Sequence, residues 1–537
     1  MNKKLLSAVL VATLACSTAQ AQGYKNPVIP GYYPDPSVCC VGEDFYLVNS
    51  TFQYFPGVPV WHSKDLVNWE QIGNVLDRES QIDLSKGGAS SGVFAPTIRY
   101  HEGTYYMITT NINMLMSGKA GNFIVTATNP AGPWSEPVFV ENAFGIDPSL
   151  FWENGKCYIT WSMNGISMAE VDTQTGKLLS APKTIWNGTG GSSPEGPHLY
   201  KKDGYYYLLI AEGGTEMGHR VTIARSTKID GPYDSCPFNP ILTNASKAGV
   251  NSLIQGTGHA DLVQAPNGSW WMVFLAFRTS AGKQLHTLGR ETCVLPVEWP
   301  KNGWPMVNGS GTADVDVECE TLPLQPFATK PVRTAFTSKL GPEWIYINNP
   351  KTENYVQGKK NLTLKATSVT LDNPTVTPTF VARRQQDINC TATTQVTLTG
   401  KQAGDEAGLT VYMDPKGHYD FCVRVAQDGS QEVSLRYKLG QMSHVEKTVK
   451  LQGKKAVQLR VDASSKLYKF QYSQDGKTWT DMGQMDTYFL ATETLGGFTG
   501  MLFGLYAQGA EGTTATAAFD WFDYQPGEAY KRTSIYE

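Results

Sequence analysis

Three carboxylates recur in one local setting. Asp35 stands in Asp35-Pro36-Ser37-Val38, Asp147 in Asp147-Pro148-Ser149-Leu150, and Glu195 in Ser193-Pro194-Glu195-Gly196-Pro197-His198. Each precedes an aromatic, strand-like stretch, and a count of eleven from each acid reaches Tyr46, Tyr158 and Tyr206. The same count from Ala95 and His259 reaches Tyr106 and Trp270, so five registers share the pattern and three are acidic. Asp and Pro favour turns on their own account, which explains one or two such instances. Three at a fixed offset point instead to a shared site. Carboxylates gathered this way suit glycoside hydrolysis: one protonates the leaving oxygen while another acts as base or nucleophile. A third negative charge beside the acid helps it keep its proton, because like charges resist joint ionisation.

Competing chemistries leave little trace. A Ser/His/Asp triad is not evident, and phosphate loops, HExxH and dinucleotide fingerprints are missing. The net charge of -4 argues against a nucleic-acid partner, which needs a basic face. Eight cysteines follow Cys16 without framework or zinc spacing, and Cys157 and Cys422 fall in apolar strand patterns that suit buried free thiols.

A chain of 537 residues exceeds one ordinary domain. With 11% aromatics, 52 glycines and 18% charge, it reads as β-rich with many tight turns. Residues 1–21 read as a secretory signal: Lys3 and Lys4, the apolar Leu5 to Ala15, then Ala19-Gln20-Ala21 as the cleavage pattern. That apolar run is too short to span a bilayer. Cys16 raises a lipoprotein alternative, although Thr13-Leu14-Ala15 is a poor lipobox. The expectation is an exported protein, periplasmic or secreted, without membrane insertion.

The elements that position the three acids follow from the repeat. The five registers are spaced by 60, 52, 48 and 64 residues, and each unit supplies short runs of Val, Ile, Tyr and Trp between Gly, Asn, Asp and Pro. About four short antiparallel strands per unit describe a propeller blade, and five units a five-bladed β-propeller over 22–325. Its innermost strands line one axis, which brings Asp35, Asp147 and Glu195 to one end of the channel. A proline-bearing linker over 326–332 follows, and alternating strands from 333 to 537 indicate a β-sandwich. The fold class is all-β.

These residues resemble glycoside hydrolase family 43, in its branch of two-domain β-xylosidases and exo-α-L-arabinofuranosidases. The likeness rests on Gly31 to Ser37, Phe55 to Pro59, His62 to Trp69, Ala95-Pro96 and Gly145 to Ser149. It continues through Ser193 to His198, Gly256 to Asp261, Leu288 to Thr292 and Gly497 to Gly500, nearly the whole mature chain. The resemblance implies a concanavalin-like sandwich. It implies Asp35 as general base, Glu195 as general acid, and Asp147 as the residue that tunes and orients the acid. It also implies inversion, with base and acid roughly 6.5–9.5 Å apart to admit a water. Arg290 matches an arginine that contacts substrate hydroxyls, its structural reading being an ion pair with Glu291 or Asp261. Phe94 stands where xylosidase relatives often carry tryptophan, and Phe94 and Phe55 are candidates for a sugar-facing wall; either could equally be core. Phe498 corresponds to a sandwich residue that reaches the pocket mouth, its plain alternative being a core phenylalanine.

His259 corresponds to a histidine near the axis, beside a water-coordinated calcium in the family. Calcium prefers oxygen donors, so any such ion is expected to be structural, and no cofactor is required. The expected reaction is exo-acting, inverting release of terminal α-L-arabinofuranose from hemicellulose oligosaccharides. Phe94 in place of tryptophan favours the smaller furanose. A β-xylosidase, or dual activity, is the alternative. A sugar-binding propeller without catalysis would require all three acids to be dispensable. The retaining fructosidase group is set aside because its NDPNG motif is absent.

Overall fold

The computed structural model describes residues 23–85, 87–280, 285–373 and 375–532; the expected signal at 1–21 lies outside them. Five four-stranded antiparallel sheets follow one another along the chain. Their first strands are Ser37–Val41, Thr97–His101, Ile146–Glu153, Glu195–Lys202 and Ile254–Gln264. Each packs against the first strand of the next sheet, and the fifth packs against the first, so the ring closes as a five-bladed propeller. Tyr24–Lys25 pairs with Asp316–Val317, tying the two ends of the propeller together.

Turn chemistry sets the register of these blades. The first hairpins of blades two, three and four turn on Glu102-Gly103, Asn154-Gly155 and Asp203-Gly204, with φ of 46° and 83°, 51° and 74°, and 49° and 81°. Paired positive φ values define the two-residue turn whose twist matches a hairpin. The last pairs before the turns are His101 with Thr104, Glu153 with Lys156 and Lys202 with Tyr205. From there the ladder is fixed back to the axis, since a slip of one residue would invert every side chain.

The last propeller strand ends at Val317 and the first sandwich strand, Arg333–Ala335, begins beyond the linker. An eight-stranded and a six-stranded sheet form the sandwich. Strict alternation along Cys390–Leu398 and Val457–Ala463 sends Ala392, Val396, Leu459 and Val461 into one shared core. The domains meet through backbone. Tyr346–Ile347 adds a short strand to Tyr54–Phe55, and Met501 donates its N–H to the Thr287 carbonyl. At Gly500 a Cβ would lie 2.2 Å from the Leu288 oxygen, so only glycine permits this approach.

Candidate active site

The site is built where three of the five inner ladders break. In blade three the register shifts between Ile146 and Ser149, in blade four between Glu195 and His198, and in blade five between Gly258 and Asp261. Such a bulge bends the strand and re-aims the inserted residue, here toward the axis. Asp147, Gly196 and His259 fall in these breaks, at φ of 56°, 59° and 43°, and Asp35, just before the strand Ser37–Val41, has a matching φ of 53°.

Glu195 therefore does not share the register of the two aspartates. It stands one place earlier, level with Ile146 and Gly258, and the eleven-residue count to Tyr206 is off by one. Tyr200 pairs with Tyr207, as Phe151 pairs with Tyr158 and Cys39 with Tyr46. Gly196 occupies the bulge in blade four because the His259 ring fills the space: a Cβ there would lie 3.1 Å from it. The sequence places three acids on one ring; the structure places two, with the third entering from the adjacent position.

All three acids nonetheless line one pocket of about 90 Å³, together with Phe52, Phe94, His259, Arg290 and Phe498. Asp35 is buried, accepting from Arg290 Nη1 at 2.7 Å on Oδ1 and from Ser50 Oγ at 2.5 Å on Oδ2. Burial pushes its carboxyl up, but Arg290, His259 and the Ser50 hydroxyl outweigh this and hold it below the usual range. Asp147 goes the other way. Burial and the negative charges of Glu195 and Asp35 raise it well above an ordinary carboxyl, against the Gly196 N–H that donates to Oδ2 at 3.1 Å. The site thus sets a carboxyl that ionises readily, Asp35, apart from one that resists ionising, Asp147 beside Glu195.

Arg290 pairs with Asp35 rather than with Glu291 or Asp261. Glu291 is held by Arg278 at 2.7 Å and Asp261 by Arg99 at 2.7 Å. The second arm of Arg290 donates from Nη2 to the Phe498 carbonyl at 3.2 Å, so the sandwich touches the Arg290–Asp35 pair directly. Phe498 is 38% exposed, stacks on Phe52 at 5.6 Å and meets Phe94 edge-on at 6.1 Å. Its N–H donates to Ser90 Oγ at 2.8 Å.

Phe55 is not part of this wall. Its strand pairs with Tyr346–Ile347, and its ring lines a crevice between the domains with Trp344 and Ile72. Phe52 takes the place expected of it, turned into the pocket by a positive φ of 52° and bridged to Val93. The signal was the near-by Phe52, three residues upstream, which a motif match centred on Phe55 passed over. Gly88-Ala89-Ser90-Ser91-Gly92 carries the letters of a nucleophile elbow, yet Ser90 lies in a loop and holds Phe498 rather than a histidine.

Two histidines flank the acids. His259 Nδ1 lies 3.9 Å from Asp35 Oδ1, and burial lowers its imidazole despite the neighbouring Asp35 and Glu195. His219, which the sequence reading did not single out, is fully buried with Nε2 3.5 Å from Glu195 Oε1. Gly258 makes room for it, since a Cβ there would sit 2.3 Å from the ring. Calcium takes six to eight oxygen ligands, and His259 offers one nitrogen beside a carboxylate already occupied by Arg290 and Ser50. Among the described residues no three His, Cys, Asp or Glu side chains form a metal-binding group.

One turn further along the inner strands, Asp261 gathers Ser37 Oγ at 2.7 Å, Tyr200 OH at 2.5 Å and both arms of Arg99. Arg99 reaches on to His198 Nδ1 at 2.9 Å, which also faces Ser149 Oγ at 3.0 Å. This ring draws on all five blades and fixes the inner strands relative to one another beneath the acids.

Known proteins are similar to this chain over nearly its whole length. The model of glycosyl hydrolases family 43 matches residues 24–305, and that of the β-xylosidase C-terminal concanavalin A-like domain matches residues 333–525. The non-reducing end α-L-arabinofuranosidase BoGH43B of Bacteroides ovatus is 41% identical over 533 residues, covering 98% of this chain and 99% of that one. A xylosidase/arabinosidase of Butyrivibrio fibrisolvens is 39% identical, covering 90% and 95%. The solved structure of the Bacteroides ovatus xyloglucan-locus GH43B superposes with a TM-score of 0.89 at 40% identity, covering 94% of this chain and all of that one. A propeller with acids at its axis, a sandwich reaching into the same pocket, and these matches to both halves make the chain a member of glycoside hydrolase family 43.

Proposed function

We propose that the protein is an exo-acting, inverting glycosidase that releases terminal α-L-arabinofuranose from hemicellulose oligosaccharides. The supporting observation is the opposed electrostatics of the two axial aspartates: Arg290 favours the ionised form of Asp35, while burial beside Glu195 disfavours ionisation of Asp147. In this reading Asp35 is the general base, drawing a proton from water as that water attacks the anomeric carbon. Glu195 is the general acid, donating its proton to the leaving oxygen. Asp147 orients the acid through Gly196 and keeps a proton within reach of it. Phe52, Phe94 and Phe498 form the walls against the sugar, and Arg290 presents its guanidinium to the hydroxyls beside Asp35. Phe498 narrows the mouth to a terminal residue, which makes the action exo.

The arabinofuranosidase reading draws support from the B. ovatus relative and from the small pocket walled by Phe94. A β-xylosidase or dual activity is the second reading, favoured by the B. fibrisolvens relative. Export to the periplasm or medium follows from the leader, and a calcium ion near His259, held mostly through water, would act structurally. The test compares nitrophenyl α-L-arabinofuranoside with nitrophenyl β-D-xyloside while NMR follows the anomer first released. Faster arabinoside hydrolysis with inversion is expected; net retention, or parent rates in both Asp35→Asn and Glu195→Gln, would overturn the assignment.

A further inference from the structure

A second and larger cavity, of about 340 Å³, opens where the first blade, the linker and the sandwich meet. Trp69 and Glu70 come from the blade, Phe327 and Lys330 from the linker, Glu343 and Arg384 from the sandwich. Its volume falls within the range of small-molecule sites.

Arg384 is the unusual residue. It is 3% exposed, its guanidinium lies 4.3 Å from the Tyr33 ring centre, and its one hydrogen bond among the described residues is a 3.5 Å contact from Nη1 to the Tyr33 hydroxyl. Its Nε has no partner. Other arginines of low exposure are each satisfied by a carboxylate: Arg99 by Asp261, Arg278 by Glu291, Arg290 by Asp35, all at 2.7 Å. A cation taken out of water without an anion is costly; the Tyr33 and Tyr32 rings, at 4.3 and 5.5 Å, offset part of that cost, and an anion in the cavity would offset the rest. A planar carboxylate matches the guanidinium fork.

The rest of the lining narrows the ligand. Glu70 and Glu343 repel a bare anion but accept hydrogen bonds from hydroxyls, and Trp69 and Phe327 offer apolar faces for the C–H side of a sugar ring. We propose that this interdomain cavity binds a uronic acid residue, its carboxylate on Arg384, its hydroxyls on Glu70 and Glu343, and its ring against Trp69 and Phe327.

The experiment uses the full mature chain and isothermal titration with D-glucuronate, D-glucose, acetate and inorganic phosphate. Glucuronate is expected to bind at least about tenfold more tightly than each of the others, a gap of about 1.4 kcal/mol. Arg384→Met should weaken glucuronate about tenfold or more, and Trp69→Ala, at the accessible rim, keeps the test open if that variant fails to fold. Binding should persist in Asp35→Asn and under saturating arabinose, which separates this cavity from the catalytic pocket. Equal binding of glucose, acetate or phosphate, indifference to Trp69→Ala and Arg384→Met, or displacement by arabinose would overturn the proposal.

Discussion

Arg290 donates from Nη1 to Oδ1 of Asp35 at 2.7 Å, both side chains buried, across 255 residues of sequence. This contact holds the Asp35 carboxyl down against its own burial. Replacing Arg290 by Gln removes the strongest opposing charge and lets burial dominate, so the carboxyl rises. Asp35 must be ionised to act as base; the acid limb of kcat/KM should therefore move to higher pH, with an overall loss on the order of 10²-fold. A pH profile of the variant checks this, and an unmoved acid limb would contradict the role given to the pair.

Glu195 should matter least where the leaving group needs least help. Glu195→Gln is expected to lose about 10²–10⁴-fold on alkyl or sugar leaving groups and far less on dinitrophenyl glycosides. A loss independent of leaving-group acidity would indicate that Glu195 does not donate the proton.

Gly196 is constrained twice, by a φ of 59° and by the His259 ring 3.1 Å from the place of a Cβ. Gly196→Ala should cost about 1–2 kcal/mol from backbone strain and displace the N–H that Asp147 accepts. Gly204, at φ 81° with open space around its Cβ, is the control. Activity should fall about tenfold or more in the first variant and stay near parent in the second, even when both lose stability.

The sandwich carries its own pH dependence. His418 is fully buried, 2.8 Å from Asp420 and 2.9 Å from Asp372; burial disfavours its charge, yet the carboxylates raise the imidazole to about 9. A raised folded value means that the stabilisation is complete below the unfolded value near 6.5 and is lost as pH climbs through about 9. The melting temperature should fall between pH 7 and pH 10, and His418→Gln should flatten that slope while lowering stability at neutral pH.

Phe498→Ala keeps the backbone carbonyl that Arg290 uses but removes the ring against Phe52 and Phe94. A rise in KM of about tenfold with a smaller change in kcat is expected, since the ring binds sugar and does no proton transfer.

The propeller was legible because its signals are local and repeated. Gly103, Gly155 and Gly204 mark the hairpins, and Asp-Pro-Ser marks the approach to the axis. What counting missed is three-dimensional. The offset of Glu195 from the aspartates is a consequence of bulges, which leave no letter of their own in blade four beyond Gly196. Phe52 and Phe55 differ only in which way the chain turns between them, and that turn is set by a positive φ and by strand pairing with Tyr346–Ile347. His219 becomes noticeable only once the fold lays it beside Glu195, from the loop just before the strand Arg220–Ser226, which carries no acidic motif. For Phe498 the motif left two readings open, pocket mouth or core, and its place in the pocket follows from Gly497 and Gly500 letting the two domains approach.

The grip of Arg290 on the carbonyl of Phe498 has a consequence for biosynthesis. A ribosome delivers Asp35 at the outset and Phe498 only after nearly the whole polypeptide has emerged, so a nascent chain can close its ring of blades and still lack one wall of its pocket. The pocket is then whole, and sugar can be cleaved in it, only once the finished chain has folded.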